Sequence, residues 1–346
     1  MPTGWPTFHG DQARTGSTTT TGLHGPPTVQ WRFETAPLIR SSPAVTDETV
    51  YIGCGGETVY AVDATDGTEL WHFETDNWGE SSPAVVDGTV YIGSHDGNLY
   101  ALDAVDGTEI WRFETGSWVE SSPAVADGSL YVGSHDRHLY AIDRTTGTEQ
   151  WRIQTDGEVV SAPTLYGQTV FVGSRGRHLY AVDAIDGTVR WCSSTPDHVY
   201  GSPAASAGLV IVGSGDYLLA FDAKTGGKQW QSETAGGLIA TPTLDEGTVY
   251  IGSFADEGGC MHALNRADGT ELWRFKTGDG IVSSAALADD ILYVGCLDGT
   301  IYALTTDDGT VEWLYETDGE IASSPAVVDG RVYFGGADCI YSFSDD

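Results

Sequence analysis

Tryptophan recurs along this chain at nearly constant spacing, and this spacing constrains the fold more than any other feature. Eight of the eleven Trp residues follow one another at steps of 40, 40, 40, 40, 39, 43 and 40. They are Trp31, Trp71, Trp111, Trp151, Trp191, Trp230, Trp273 and Trp313. A period near 40 residues indicates a repeat architecture in which each repeat is one supersecondary unit.

Each repeat has the pattern of four short β-strands. The best-formed repeat, residues 81–115, contains the runs SSPAVV, TVYIGS, LYALDA and TEIWRFET. Asp-Gly pairs separate these runs, and such pairs favour tight hairpin turns because those turns need positive φ. No segment has a convincing amphipathic helical period. We therefore predict a four-stranded antiparallel meander per repeat, with strands A to D.

The two chain ends favour a closed ring over an open stack. The last repeat begins at Ser323 and stops without a Trp-bearing D strand, whereas a D strand at 28–35 precedes the first A strand. Together these pieces would complete one blade and remove the exposed edges of an open stack. We predict an all-β, eight-bladed β-propeller at residues 28–346, closed by pairing of 28–35 with 323–346. Residues 1–27 would form a lead-in segment.

Composition excludes several classes of function. The chain has 50 Asp and Glu against 16 Lys and Arg, a formal charge of -34. Nucleic acid is not expected as a ligand, because phosphate binding needs clustered cations. No window is apolar enough for membrane insertion. Such acidity predicts a salt-adapted source of the halophilic archaeal type, since concentrated salt screens self-repulsion. The five Cys residues are odd in number and show no CxxC spacing, so neither a disulfide framework nor a zinc site is indicated.

The start of the chain has neither a basic stretch nor an apolar segment of the kind found in export signals. As written, the chain is therefore predicted to be cytoplasmic. It would be extracytoplasmic if a signal peptide or lipoprotein leader had been trimmed. We expect a monomer.

The repeat motif resembles that of a known family. The pattern AxDxxxGxxxW, as in Ala101, Asp103, Gly107 and Trp111, is similar to that of the pyrroloquinoline-quinone (PQQ) repeat propellers, the quinoprotein alcohol dehydrogenase-like superfamily. The opening WPTFHGD, followed by Thr-Gly at 15–16, is similar to the WPxFxGDxxxTG lead-in of that group. In this repeat the Trp is predicted to wedge between blades. The resemblance covers nearly the whole chain. It implies either a quinoprotein dehydrogenase or a scaffold similar to the outer-membrane assembly propellers.

Polar, aromatic and ionisable residues concentrate in the D-to-A and B-to-C connections of blades 1 to 5, which a meander places on one face. We predict a binding site there, at the mouth of the central channel. Its candidate residues are Arg40, Trp78, Glu80, His95, Trp118, Glu120, His135, Arg137, Arg175, Arg177 and Tyr200. The Trp side chains would offer flat surfaces, the Arg side chains would hold acid groups, and Glu80 and Glu120 would be available to a cation.

These residues leave several interpretations open. The site could take PQQ with Ca²⁺, a small anionic ligand or a protein partner, or the face could be a solvated rim with contacts between blades. His95 and His135 could share a metal, and Glu80 and Glu120 could act as acid and base. No adjacent Cys pair and no long insertion is present to hold and enclose a quinone. We therefore expect a non-catalytic binding or scaffolding propeller, with a PQQ- and calcium-dependent oxidoreductase as the alternative.

Overall fold

A computed structural model describes residues 4–36, 39–46, 48–77, 79–255 and 258–345. These residues form 34 β-strands and no helix. The described chain accordingly offers no helical segment able to span a membrane. Three strands precede the first complete blade: β1 (Gly4–Trp5), β2 (Ser17–Thr18) and β3 (Thr28–Glu34).

Seven blades follow in chain order, each an antiparallel meander of strands A to D. Blade 1 contains β4 (Ala44–Thr46), β5 (Thr49–Cys54), β6 (Thr58–Asp63) and β7 (Glu69–Glu74); blade 2 contains β8 (Ala84–Val86), β9 (Thr89–Gly93), β10 (Asn98–Asp103) and β11 (Glu109–Glu114). Blade 3 contains β12 (Ala124–Ala126), β13 (Ser129–Gly133), β14 (His138–Asp143) and β15 (Glu149–Gln154); blade 4 contains β16 (Thr164–Tyr166), β17 (Thr169–Ser174), β18 (His178–Asp183) and β19 (Val189–Ser194).

The second half of the ring repeats this plan. Blade 5 contains β20 (Ala204–Ser206), β21 (Leu209–Ser214), β22 (Tyr217–Asp222) and β23 (Lys228–Glu233); blade 6 contains β24 (Thr243–Leu244), β25 (Thr248–Ala255), β26 (Gly258–Asn265) and β27 (Glu271–Lys276). Blade 7 contains β28 (Ala286–Ala288), β29 (Ile291–Gly295), β30 (Thr300–Thr305) and β31 (Val311–Glu316); blade 8 contains β32 (Ala326–Val328), β33 (Arg331–Gly335) and β34 (Cys339–Ser344).

Blade 8 is completed by the N-terminal strand, which confirms the predicted eight-bladed architecture. Strand β3 pairs with β34 in antiparallel register, with Trp31 opposite Ser342 and Glu34 opposite Cys339. The sheet therefore runs β32, β33, β34, β3 from the channel outward. This pairing joins the first and last parts of the chain and closes the ring without an unpaired blade.

The repeated Trp residues lie between neighbouring blades, as the motif implied. The Trp71 indole, 7% exposed, packs 5.8 Å from the Tyr51 ring and donates a 3.0 Å hydrogen bond to the Ala104 carbonyl in the next blade. Blade 8 has no C-to-D turn of its own to offer this carbonyl. There the Trp313 indole donates instead to the carbonyl of Leu23, at 3.0 Å. The lead-in thus supplies the docking position that the split blade lacks.

The Asp and Gly of the repeat motif shape the C-to-D turn around this indole. Asp103 accepts the Val105 amide at 2.8 Å through its side chain. Gly107 has φ 73°, and a Cβ at this position would lie 2.6 Å from Trp71 Cε3. The glycine is therefore needed both for the backbone conformation and for close contact with the indole.

The lead-in lies inside the ring and binds the innermost strands of successive blades. Strand β1 pairs with β4 of blade 1, and β2 runs parallel to β28 of blade 7. Between them, lead-in carbonyls accept A-strand amides of blades 2, 4, 5, 6 and 7, at Val85, Leu165, Ala205, Leu244 and Leu287. These bonds span 2.7–2.9 Å. The segment is therefore an integral part of the ring rather than a separate arm.

The residues of the lead-in motif hold this segment in a compact turn. Trp5 is 1% exposed, and Gly10, with φ 83°, lies against its indole. The Asp11 carboxylate accepts the Thr15 amide at 3.0 Å. A Cβ on Gly16 would lie 2.3 Å from His9 Nε2, so a side chain at this position would displace the His9 ring.

Two buried ionisable residues of the lead-in are satisfied by carbonyls. Arg14, 1% exposed, donates to the carbonyls of Pro163, Phe8 and Ser122. Burial lowers the pKa of its guanidinium to about 9, although the negative charge of Asp11 acts in the opposite direction. Burial also lowers the pKa of His9 to about 4, so its ring is neutral at pH 7. The lead-in consequently adds at most one charge to the inside of the channel from these two residues.

Candidate binding site at the channel mouth

The channel opens on the face of the D-to-A connections into a cavity of about 160 Å³. Its rim is formed in each blade by the residue four positions before the A strand: Arg40, Glu80, Glu120, Val160, Tyr200, Ile239, Val282 and Ala322. Phe8 of the lead-in lies at the inner end of the cavity, where the lead-in crosses the channel. Four of the predicted site residues, Arg40, Glu80, Glu120 and Tyr200, therefore line one cavity.

A ring of hydroxyl groups lies below this rim. In seven of eight blade junctions, the amide of one blade donates to the Ser or Thr hydroxyl of the next, at 2.8–3.2 Å. The accepting residues are Ser82, Ser122, Ser202, Thr241, Ser284, Ser324 and Ser42. The ring is interrupted at blade 4, where Ala162 replaces the hydroxyl and no described group accepts the Ser122 amide. The channel wall is thus polar and held by contacts between blades.

The cations at the mouth are paired with carboxylates. Arg40 Nη1 lies 3.1 Å from Glu80 Oε1. Arg175 pairs with Glu158, whose carboxylate also lies 3.7 Å from His135 Nδ1. Because the guanidinium groups of Arg40 and Arg175 have acidic partners, these two side chains offer little unpaired positive charge to an anion. The rim itself carries one Arg and two Glu side chains.

The pKa values of two neighbouring carboxylates on the rim are shifted in opposite directions. Burial raises the pKa of Glu80, and the nearby charge of Glu120 raises it further. Burial would also raise the pKa of Glu120, but its 2.7 Å hydrogen bond with His135 and the charge of His135 outweigh this effect, so the pKa lies below its ordinary value. Glu120 is therefore firmly ionised, whereas Glu80 holds a proton more readily.

The aromatic candidates are fixed by stacking contacts next to the cavity. The rings of Trp118 and His95 are parallel within 7°, with centroids 4.7 Å apart. Trp118 also contacts His135, at 5.3 Å between centroids. Arg175 lies over the ring of Tyr200 at 5.0 Å. His95 is buried, and burial lowers its pKa, so its neutral ring acts as a support for Trp118.

Three predicted residues do not join this arrangement. Arg137 and Arg177 occupy positive-φ turn positions and are exposed, and neither lines the cavity. Arg177 lies 3.6 Å from Asp197. Trp78 lies outside the described residues. The structure therefore brings together eight of the eleven candidates: four on the rim and four, His95, Trp118, His135 and Arg175, behind it.

Sequence reasoning missed three contributors to the site. Phe8 could not be placed, because nothing in the repeat pattern locates the lead-in. Glu158 was overlooked although it lies two residues before a rim position, where its charge could have been noticed. The hydroxyl ring carried a clear signal, because the second residue of the SSP-type run is Ser or Thr in every blade except blade 4. The repeat pattern predicts that run only as the start of strand A.

The cofactor that the resemblance implied does not fit these residues. PQQ is a tricarboxylate, and it would meet two carboxylates and an already paired Arg at the rim. The cavity volume of about 160 Å³ is below the roughly 300–1,000 Å³ usual for ligand pockets. Among the described residues, no group of three or more His, Cys, Asp or Glu has an arrangement that could hold a metal ion. The shared His95–His135 metal site is likewise unsupported, since His95 stacks on Trp118.

Eight blades, docked Trp residues and a lead-in inside the ring define a PQQ-type repeat propeller. Residues 25–120, 95–261 and 257–345 match the family model described as outer membrane protein assembly factor BamB. The chain therefore belongs to this BamB-like family. No curated protein matches its sequence significantly.

Solved structures share the fold at low sequence identity. BamB from Moraxella catarrhalis is 20% identical with a TM-score of 0.77, over 92% of this chain and 98% of that one. A europium-containing methanol dehydrogenase is 12% identical with a TM-score of 0.89, over 100% and 98%. The quinohemoprotein alcohol dehydrogenase from Comamonas testosteroni is 15% identical with a TM-score of 0.86, over 99% and 81%. The same fold thus occurs in a BamB protein and in enzymes.

Proposed function

We propose that this chain is a non-catalytic propeller that binds a protein partner through the channel-mouth face of blades 2 to 5. The observation that carries the proposal is the state of Trp118, which is 48% exposed while its ring is stacked on His95. An exposed indole held in one orientation presents a large apolar surface and loses little conformational freedom on binding.

Neighbouring side chains extend this surface. Tyr200 is 40% exposed and lies under the guanidinium of Arg175. Trp, Tyr and Arg are the residue types most enriched among the energetically dominant contacts of protein interfaces. The ion pairs between Arg175, Glu158 and His135 link blades 3 and 4 below these rings, so the surface is rigid before a partner arrives.

A PQQ-dependent oxidoreductase is the second candidate, favoured by the similarity in fold to the methanol and alcohol dehydrogenases. The paired Arg residues and the small cavity weigh against it. For the same reason we do not favour a small anionic ligand at the mouth. A protein partner needs neither a deep cavity nor an unpaired cation.

Site-specific photo-crosslinking in cells of the source organism tests the proposal. A photoreactive phenylalanine analogue replaces Trp118 in one strain. In the control strain it replaces Ile185, which is 72% exposed on the opposite face. We expect a crosslinked species of defined mass from position 118 alone, reduced about tenfold or more when Tyr200→Ala is added. Absence of this species, or equal crosslinking from position 185, would contradict the proposal.

A further inference from the structure

A second and larger cavity lies on the opposite face of the ring. Its volume is about 710 Å³, and it lies between blades 1 and 2 beneath the lead-in. Its walls include the A-to-B turns of both blades and the C-to-D turn of blade 2. Apolar residues dominate them: Pro6, Leu70, Val86, Ala104, Val105 and Val125. The volume is within the range of small-molecule pockets, roughly 300–1,000 Å³.

The path of the lead-in creates this cavity. The Pro6 carbonyl accepts the Val85 amide of blade 2 at 2.8 Å, and the next carbonyl bound to a channel wall is that of Gln12, at Leu165 of blade 4. Between these points the chain crosses the channel, where His9 reaches the Ala285 carbonyl of blade 7 at 3.0 Å. Within the described chain, the A strand of blade 3 is therefore contacted by lead-in side chains rather than by lead-in carbonyls.

A buried hydroxyl in this cavity has no partner. Thr7 lines the cavity and is 6% exposed, and its Oγ1 makes no hydrogen bond with any described residue. Buried hydroxyl groups in proteins are almost always paired, because burying one unpaired is costly. A buried, unpaired hydroxyl beside an open pocket gains a partner if a ligand oxygen reaches it.

A backbone donor points to the same place. The second A-strand residue donates its amide to a lead-in carbonyl in blades 2, 4, 5, 6 and 7. In blade 3 the equivalent residue is Val125, which lines the cavity. No acceptor for its amide is found in the described part of the chain, and its carbonyl accepts Gln12 Nε2 at 2.8 Å instead. The cavity thus combines an unpaired hydroxyl with an unpaired amide donor.

The charges around the cavity restrict the ligand. Among the described residues, the charged ones that line it are Asp11 and Asp87. The Asp11 carboxylate accepts a hydrogen bond from the Thr15 amide, and the Asp87 carboxylate accepts one from the Arg144 guanidinium at 2.6 Å. An anion would meet two carboxylates without a free cation, whereas an uncharged molecule would meet apolar walls and two hydrogen-bond donors.

We propose that this cavity binds a small uncharged molecule with an apolar body and a carbonyl or hydroxyl oxygen. The oxygen accepts hydrogen bonds from Thr7 Oγ1 and the Val125 amide, and the apolar body lies against Val86, Ala104 and Val105. This site is separate from the protein-binding face proposed above and does not depend on it.

Fluorescence titration with Nile red, an uncharged dye that carries a carbonyl, tests the proposal on the full-length protein. We expect saturable 1:1 binding with enhanced emission. Thr7→Val keeps the shape but removes the hydroxyl, and it should weaken binding about fivefold. Val86→Trp should fill the cavity and abolish binding. Its matched control is Tyr166→Trp, at the equivalent position of blade 4 away from the cavity, which should leave binding unchanged.

A second pair of variants guards against misfolding of Val86→Trp. Val105→Asp places a charge at the exposed rim of the cavity. The control, Ile185→Asp, places a charge at the equivalent turn of blade 4, away from the cavity. The two wild-type residues are 85% and 72% exposed. Only Val105→Asp should weaken binding. The proposal is overturned if Nile red does not bind, if Val105→Asp and Ile185→Asp behave alike, or if an anionic naphthalenesulfonate dye binds equally well. Concentration-dependent dimerisation blocked by Val105→Asp would assign the groove to a second copy and would also overturn it.

Discussion

Thr7 and Phe8 are consecutive in the chain, yet they line two different cavities on opposite sides of the lead-in. Phe8 faces the small polar cavity at the mouth, and Thr7 faces the larger apolar cavity between blades 1 and 2. The lead-in therefore divides the central channel into two compartments of different chemistry. It does so while binding the A strands around the ring, so division of the channel and stability of the ring depend on the same segment.

The contact between Gly107 and Trp71 predicts unequal effects of two glycine substitutions. Gly88→Ala and Gly107→Ala both place Ala at positive φ, 75° and 73°, which costs about 1–2 kcal/mol. Only at Gly107 would the new Cβ strike an indole, whereas nothing lies within 4 Å of the same atom at Gly88. We expect Gly107→Ala to lose about 1–3 kcal/mol more in free energy of unfolding. Equal losses in denaturant titrations would refute the proposed docking role of this glycine.

The gap in the hydroxyl ring predicts a stabilising substitution. Ala162→Ser places an acceptor opposite the Ser122 amide, in the same relation as Ser82 to the Ser42 amide, 2.9 Å away. We expect the free energy of unfolding to rise by about 0.5–1 kcal/mol. The matched control Ser82→Ala opens a second gap and should lower it by about 1–3 kcal/mol, because it leaves a buried amide unpaired. A loss of stability in Ala162→Ser, together with no loss in Ser82→Ala, would contradict a stabilising role of the ring.

The two rim carboxylates predict opposite pH effects. Glu120 has a lowered pKa in the folded protein, so its ionised form stabilises the fold above the ordinary value of 4.5, and this stability is lost as pH falls through the folded pKa. Glu120→Gln should therefore lower the melting temperature at pH 7 and have little effect in acid. Glu80 has a raised pKa in the folded protein. Its ionised form therefore lowers the stability of the fold at pH 7, and this loss disappears as the pH falls and Glu80 becomes protonated.

Glu80→Gln consequently serves as the matched comparison. It should raise or leave unchanged the melting temperature at pH 7, because the loss of the partly exposed pair with Arg40 offsets only part of the gain. Melting curves of both variants and the wild type between about pH 3 and 8 provide the measurement. Parallel curves for the two variants would contradict the opposite pKa directions.

The net charge of -34 predicts dependence of stability on salt. Screening shortens the reach of repulsion to about 3 Å at 1 M salt. We expect the melting temperature to rise by about 5 °C or more between dilute buffer and about 3 M KCl. Sucrose, which is excluded from surfaces but does not screen charge, is the control and should stabilise less. A melting temperature that is constant or falls with KCl would argue against salt adaptation.

The sequence predicted the ring because its signals are local and repeated. Trp spacing and Asp-Gly turns are short-range signals. The surplus D strand at 28–35 matches the D strand missing from the last repeat, so the pairing of β3 with β34 could be predicted although the two strands are far apart in the chain. The location of the lead-in could not be predicted, because no repeat pattern marks the partners of its bonds, such as the one that joins Gly16 and Leu287. The carbonyl that Leu23 offers Trp313 likewise has no counterpart in the repeat motif.

The sequence predicted which candidate residues lie close together but not which charges pair. The rim residues follow from the register of the repeat, so Arg40, Glu80 and Glu120 were correctly placed next to one another. Taken singly, the Arg residues of these connections predict a pocket for acid groups. In the folded ring Arg40, Arg175 and Arg177 instead pair with carboxylates, as Arg175 does with Glu158. Such pairings depend on side-chain reach across blades, which the sequence pattern does not encode.

Calorimetric titration with PQQ in the presence of Ca²⁺ tests most directly whether this propeller is a binding module rather than a quinoprotein. The account predicts no saturable heat up to about 100 μM PQQ, and no reduction of an artificial dye when alcohols are added. One-to-one binding in the micromolar range or tighter, with alcohol-dependent dye reduction, would contradict it.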